Sequence, residues 1–330
     1  MQHALGRLKT AFRRSQNRVF RRPECHRTKR KDHMPAIPPV RRLALIGVGL
    51  IGGSFALDLK RLGLARHVAG IDTDPANLQR ALSDGLIDSA HTQIDAQSIS
   101  GADFVLIATP VAALPSVCRA LAPQLAPDTV VCDTGSTKQS ALAAFAAHLP
   151  QHLPHCVAAH PVAGSERHGA AAARHGLFAG KKLIICPHQT QNPQAETRAA
   201  ELWQAAGAKV CRMDAAAHDT VFAAVSHLPH LLAFAYVAQI LARADAAACL
   251  ENAASGFRDF TRLASSSPEL WRDVCLDNRE SLIALVRGQR EQLEAIEQML
   301  RDNDPAALHR CFAQAKHARD QWLHGQEKTV

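Results

Sequence analysis

The chain has 330 residues, 47% hydrophobic and 21% charged, enough for about two domains around a sizeable buried core. A formal charge of +8 suggests a nucleic-acid binder, yet residues 1–33 hold 11 of the 38 Lys/Arg and 2 of the 30 Asp/Glu, leaving the rest nearly neutral. The basic balance therefore belongs to a tail, and a basic globular surface is excluded.

Residues 1–40 form that tail. They are rich in Arg and Lys and end in Pro35-Ala36-Ile37-Pro38-Pro39. Such a segment buries too little apolar area to offset ordering entropy, so disorder is expected. Met34, just before the first strand-like run, reads as an alternative start, and a basic run alone is weak support for a nucleic-acid or targeting arm. The tail lacks the apolar core of a secretory signal. Nine cysteines are scattered singly with no CxxC pair, which argues against a disulfide framework or a zinc ribbon and fits a cytoplasmic protein.

From Arg42 strand and helix patterns alternate. The pattern predicts a strand over 43–46, a helix over 50–62 closed by Gly63, and a strand over 67–72. Asp74 as N-cap and Pro75 at the first helical position then open a helix. Further strands are expected over 104–108, 130–133, 156–159 and 183–186. This is an α/β Rossmann-type, doubly wound, mostly parallel sheet, spanning residues 41–212. Beyond about Asp214 strand signals stop. Helices are expected over 214–242, 246–264, 269–300 with breaks, and 305–323, giving an all-helical second domain at 213–330. The apolar stretch 221–242, interrupted by Ser226, His227, Pro229, His230 and Gln239, reads as a buried core helix rather than a membrane span.

Gly47-Val48-Gly49-Leu50-Ile51-Gly52 is a GxGxxG between strand and helix, and Asp72 follows 20 residues after Gly52 at the next strand end. Gly47 permits the tight turn, Gly49 lets backbone approach a pyrophosphate, Gly52 lets helix pack on strand, and the helix N-terminus offers free N–H groups. Asp72 would accept hydrogen bonds from ribose hydroxyls and repel a 2′-phosphate, favouring NAD, with NADP still admitted. Thr109 and Pro110 end one strand and Asp133-Thr134-Gly135-Ser136-Thr137-Lys138 ends another, both where a doubly wound sheet places its ligand. Ser136 suits a nicotinamide or substrate hydroxyl, and equally an N-cap for a helix over 138–148.

His160-Pro161-Val162-Ala163-Gly164-Ser165-Glu166 falls at another strand end. A histidine there can take a proton from an alcohol as hydride leaves the same carbon, although a structural histidine fits as well. His227 and His230 in Ser226-His227-Leu228-Pro229-His230 share a helix face; no third ligand has suitable spacing, so a metal is not expected. They suit an anionic substrate or the core, and Pro229 predicts a kink by leaving the Val225 carbonyl without its partner. Arg258 and Arg262 are candidates for bidentate carboxylate binding or for surface pairs with Asp259 or Glu269.

Taken in order, Gly47–Gly52 with Gly53-Ser54, the Asp133 to Lys138 loop, HPVAGSE, SHLPH, and the Gly256 to Arg262 segment with Trp271 resemble the prephenate and arogenate (cyclohexadienyl) dehydrogenase family of tyrosine biosynthesis. The resemblance runs from about Leu43 to about Leu323. It implies NAD-dependent oxidative decarboxylation of prephenate, and of L-arogenate as a further candidate, to 4-hydroxyphenylpyruvate or tyrosine. By it, His160 accepts the proton of the ring C4 hydroxyl and Ser136 hydrogen-bonds the same oxygen. His230 and Arg262 hold carboxylates, Glu166 and Ser165 border the substrate side chain, and Trp271 packs at the site. It also implies a homodimer through the helical domain; the composition adds that no membrane partner is expected and that nucleic acid is a disfavoured one. The rival readings are a β-hydroxy acid dehydrogenase, for which the helical region offers only the late lysines Lys316 and Lys328, and an NAD-sensing nucleic-acid-binding regulator using the tail.

Overall fold

The computed structural model describes residues 24–25, 37–164 and 167–327. Most of the tail thus lies outside the described residues, as do Ser165 and Glu166. Two pieces of 1–40 are nonetheless structured. Glu24–Cys25 is a short strand, β1, and Val40 is fully buried and bridged in parallel to Ala65.

The first half is built on a six-stranded parallel sheet. Its strands are β2 (Leu43–Ile46), β3 (Val68–Ile71), β4 (Ser89–His91), β5 (Phe104–Ile107), β6 (Val130–Asp133) and β7 (Cys156–Val157), in the order β4-β3-β2-β5-β6-β7. Five of these strands, all but β4, are buried along their whole length, as expected of a parallel sheet covered on both faces. The covering helices are α1 (Leu50–Arg61), α2 (Pro75–Ser83), the single turn α3 (Ala96–Ile99), α4 (Leu114–Leu121), α5 (Gln139–His148) and, beyond β7, α6 (Pro193–Ala205). Asp74 caps α2 as expected, accepting from the amides of Ala76 and Asn77.

The sheet departs from expectation at one place that matters for the site. The run 156–159 is not one strand: it breaks at Ala158, and β8 (Ala159–Pro161) leaves for a second, four-stranded sheet. There it pairs antiparallel with β9 (Lys182–Ile185), so the expected strand at 183–186 is also outside the parallel sheet. β10 (Lys209–Arg212) pairs parallel with β9, and β1 pairs antiparallel with β10. β4 and β10 were not read from the sequence, being short and rich in polar residues. Cys211 in β10, opposite Cys25 in register, is disulfide-bonded, where the scattered spacing predicted separate thiols.

Helices follow from Ala215: α7 (Ala215–Phe222), a π-turn at Ala223–His227, then α8 (Leu228–Leu241), α9 (Ala246–Glu251), α10 (Ser255–Thr261), α11 (Pro268–Asp277), α12 (Arg279–Arg301) and α13 (Pro305–Glu327). The irregularity expected at Pro229 takes the form of the π-turn before it, the ladder absorbing the missing donor by widening. The breaks expected within 269–300 reduce to one, at Asn278.

The reading of 221–242 as a buried core helix is overturned. Ala215–Leu241 is long and apolar enough to cross a membrane by length and composition, yet Ala233 is the one buried residue of α8. Tyr236, Leu241, Phe260 and Ile283 stand exposed on or beside it, an apolar surface of the kind that marks an interaction site.

Candidate functional site

The loop joining β2 to α1 is shaped by its glycines. Gly47 has φ +89°, and a Cβ there would lie 2.5 Å from the Ala108 carbonyl oxygen. Only glycine therefore lets β2 turn beneath the end of β5. A Cβ at Gly52 would fall 2.6 Å from the Gly47 oxygen and from Leu45. Gly49 is different: a Cβ there meets nothing within 4 Å, so the loop opens onto space a ligand can fill. Gly49 is also the N-cap of α1, where no side chain accepts from the helix amides. Val48 and Leu50 are buried and Ile51 half-buried, which fixes the loop from below.

Asp72 holds this loop from the side. Its Oδ2 accepts from the Val48 amide at 2.9 Å and from Asn77 Nδ2 at 3.2 Å, and its Oδ1 accepts from the Asp74 amide at 3.0 Å. Asn77 also donates to the Val48 carbonyl and accepts from the Ala170 amide. The carboxylate is thus kept beside the glycine loop, and sequence spacing had not shown that Asn77 helps to place it. At the neighbouring strand end the buried Thr109 Oγ1 has no hydrogen-bond partner among the described residues, and Pro110 is exposed. Open space at Gly49, uncapped helix amides and an orphan hydroxyl form a cradle that fits a dinucleotide.

The second part of the site forms where β8 leaves the parallel sheet. Asp133, the last residue of β6, accepts from the Ala159 amide at 3.0 Å, from the Gly135 amide at 2.8 Å and from Lys138 Nζ. Lys138, fully buried, donates also to the Ala159 carbonyl. Both peptide groups of Ala159 are clamped, and the clamp sets the position of His160, the next residue. A buried Lys–Asp pair is tolerable because each partner is hydrogen-bonded further.

His160 is buried against the Phe222 ring, its centroid 4.7 Å away. His160 Nδ1 lies 2.9 Å from His218 Nε2, and His218 Nδ1 lies 2.8 Å from Asp219 Oδ1. Asp219 accepts further from the amides of Lys138 at 2.8 Å and Gln139 at 2.9 Å, and so caps α5. This removes the N-cap role for Ser136, which is half-buried in the loop before the helix. Burial above all, then His218, Lys138 and His227, hold the His160 imidazole well below the usual histidine range, so it is neutral at pH 7.

The third part comes from the π-turn and its neighbours. His227 is fully buried; its Nδ1 accepts from Asn278 Nδ2 at 3.3 Å, which leaves the proton on Nε2, an atom with no partner among the described residues. Burial takes its pKa down to about 4. His230 Nδ1 donates to the Ser226 carbonyl at 2.9 Å. Its ring stacks on Trp271 at 3.5 Å between centroids. Burial lowers the His230 pKa and the nearby Arg262 charge lowers it further, against the Ser226 contact. Arg258 pairs at 3.8 Å with Asp259 on the surface, whereas Arg262 is exposed beside His230. The structure therefore brings His160, His227, His230, Trp271 and Arg262 to one region. Thr137 and Ser140 both donate to Asp277, tying the start of α5 to the end of α11 there. No cluster able to hold a metal occurs among the described residues.

Comparison with known proteins places this geometry in context. The sequence model described as "Prephenate dehydrogenase, nucleotide-binding domain" matches residues 55–212, and that described as "Prephenate dehydrogenase, dimerization domain" matches 214–314. A cyclohexadienyl dehydrogenase of Zymomonas mobilis is 32% identical over 84% of the chain and 95% of its own length. A prephenate dehydrogenase of Bacillus subtilis is 33% identical over 84% of the chain and 75% of its own length. Among solved structures, prephenate dehydrogenase from Aquifex aeolicus in complex with hydroxyphenyl propionate and NAD+ superposes with a TM-score of 0.80. It is 29% identical, over 88% of this chain and 99% of that one.

Proposed function

The chain belongs to the prephenate dehydrogenase family, and from that premise we propose that it oxidises and decarboxylates prephenate with NAD, a step of tyrosine biosynthesis. The observation that carries the reading is His160: a neutral, buried imidazole in β8, next to the Ala159 peptide that the end of β6 clamps. Prephenate is a cyclohexadiene with a hydroxyl at C4 and, at C1, a carboxylate beside a pyruvyl side chain.

NAD, when bound, supplies the hydride acceptor. Its pyrophosphate is assigned to the amides at the start of α1 over Gly49, its ribose to Asp72, and its nicotinamide end to Thr109 and Pro110. His160 takes the C4 hydroxyl proton, Ser136 hydrogen-bonding the same oxygen. As the C4 hydrogen leaves with its electron pair, C4 becomes a carbonyl carbon. The bond from C1 to its carboxylate then breaks, its pair enters the ring, and CO2 departs. The proton held by His160 returns to the phenol oxygen, so no net proton is consumed. Aromatisation drives the sequence, and the protein supplies position, a base and carboxylate contacts. Arg262 and His230, the latter donating from Nε2 when protonated, are assigned with Trp271 to the carboxylates, and His227 Nε2–H is a further donor for them. Ser165 and Glu166 are assigned to the side-chain end, where Glu166 would meet the ammonium of L-arogenate, the second substrate that this reading admits.

The exposed apolar face of α8 is assigned to a second copy of the chain, in keeping with the dimerization-domain match over 214–314. NADH formation from prephenate, measured with wild type and with Asp72→Ser, tests the cofactor assignment. Wild type should prefer NAD, and the variant should lose NAD affinity and gain NADP use, because a ribose acceptor and a charge opposing the 2′-phosphate are both removed. Wild-type preference for NADP would overturn the role of Asp72. Absence of turnover with either cofactor would overturn the reaction.

A further inference from the structure

The reading of His160 as base leaves unexplained why its second nitrogen faces another histidine rather than solvent. We infer that His218 and Asp219 are the positioning pair of the reaction. They hold His160 in the tautomer whose Nε2 is free to take a proton, and they take up the charge that His160 gains. The inference rests on His160 being the base.

The protonation states follow from the contacts. A carboxylate only accepts, so the 2.8 Å contact from Asp219 Oδ1 places a proton on His218 Nδ1. Neutral His218 then has only a lone pair at Nε2, and the 2.9 Å contact to His160 Nδ1 is one in which His160 donates. Neutral His160 with its proton on Nδ1 leaves its lone pair on Nε2. Asp219 stays ionised: burial opposes its charge, but the hydrogen bonds from His218 and from the Gln139 and Lys138 amides outweigh that and hold its pKa below the usual carboxylate value. His218 stays neutral because burial, with the Lys138 charge, outweighs its contact with Asp219.

The charged and titratable groups around the pair are few. His160 faces His218 and, more remotely, Lys138 and His227; His218 faces Asp219, Lys138, Asp133 and His227, and Asp219 also faces His227 and Cys186, whose thiol burial keeps protonated. Lys138 is committed to Asp133 and the Ala159 carbonyl, and His227 is neutral at pH 7, so neither competes for the proton. The Phe222 ring covers both imidazoles, centroids 4.7 Å from His160 and 4.4 Å from His218. When His160 Nε2 accepts the substrate proton, its Nδ1–H bond breaks and a bond forms at His218 Nε2. The imidazolium then sits on His218 beside the Asp219 carboxylate. The reverse shift returns the proton to the phenol oxygen, and no proton leaves the relay. The relay also joins the two halves of the chain, since His160 comes from β8 and its partners from α7.

The test compares His218→Phe and His218→Gln with His160→Asn, reading kcat, KM for prephenate, NAD affinity and the pH profile. Phenylalanine keeps the aromatic packing but removes the acceptor; glutamine restores an acceptor oxygen but no proton site. His218→Phe should lower kcat roughly 10- to 100-fold, less than loss of the base itself, with KM and NAD affinity nearly unchanged. Its acid limb should move to lower pH, because the added proton loses the site paired with Asp219. His218→Gln should recover most of kcat while keeping the shifted limb. Wild-type kcat and limb in both variants, or parallel loss of kcat and NAD affinity in both, would overturn the inference. A limb that vanishes in His160→Asn but is unmoved in His218→Phe would overturn the pair alone. A limb and turnover that survive in His160→Asn would overturn the assignment of the base and the inference with it.

Discussion

His160→Asn is expected to lower kcat for prephenate by about 10²–10⁴-fold, the usual worth of a positioned general base. KM should change little, because asparagine can still hydrogen-bond the C4 oxygen, and NAD affinity should be normal, because the cofactor cradle is built from the β2–α1 loop and Asp72. Such a split marks a contact made in the transition state rather than in the ground state. The pH profile adds a sign. The base works only when neutral, and burial holds its pKa below the ordinary value of about 6.5. Wild-type activity should therefore persist through pH 7 and fall only as pH drops through that depressed value, and the variant should lack this limb. Near-normal turnover with the same limb would remove His160 as the base; of His227 and His230, only His230 keeps an unprotonated Nε2, and it becomes the next candidate.

Arg262→Ala is expected to act on binding. A charge-assisted hydrogen bond to a carboxylate is worth about 1.5–3 kcal/mol, which corresponds to a KM for prephenate raised roughly 10- to 150-fold. Arg262 is exposed in the single chain, and solvent screening places the expected rise toward the lower end. NAD affinity should be unaffected. Arg258, exposed and loosely paired with Asp259, should tolerate the same change with little effect. Equal KM values for wild type and Arg262→Ala would assign the carboxylate contact elsewhere.

What the sequence made legible was local. The glycine loop, Asp72, the Asp74 cap with Pro75 and the irregularity ahead of Pro229 each depend on residues close in the chain, and each appears where spacing placed it. The relay was hidden because its partners are distant: Asp219 accepts from an amide 81 residues away, and His218 lies 58 residues from His160. Asp133 and Lys138 stood within a loop that the motif had marked, but nothing in their spacing showed that they would clamp Ala159. The break at Ala158 was equally unreadable, since four apolar or small residues in a row make one acceptable strand and only pairing with β9 diverts the chain. For α8 the signal misled in a specific way. Its apolar run indicated cover by the rest of the chain, and of its residues only Ala233 is buried.

The central claim, that oxidation at C4 and loss of the C1 carboxylate are one reaction at one site, is tested most directly by measuring NADH and CO2 together as the purified chain turns over prephenate. The account predicts both in one-to-one ratio from the earliest time points, with 4-hydroxyphenylpyruvate as the organic product. NADH without matching CO2, or no NADH from prephenate while a β-hydroxy acid reduces NAD readily, would contradict it.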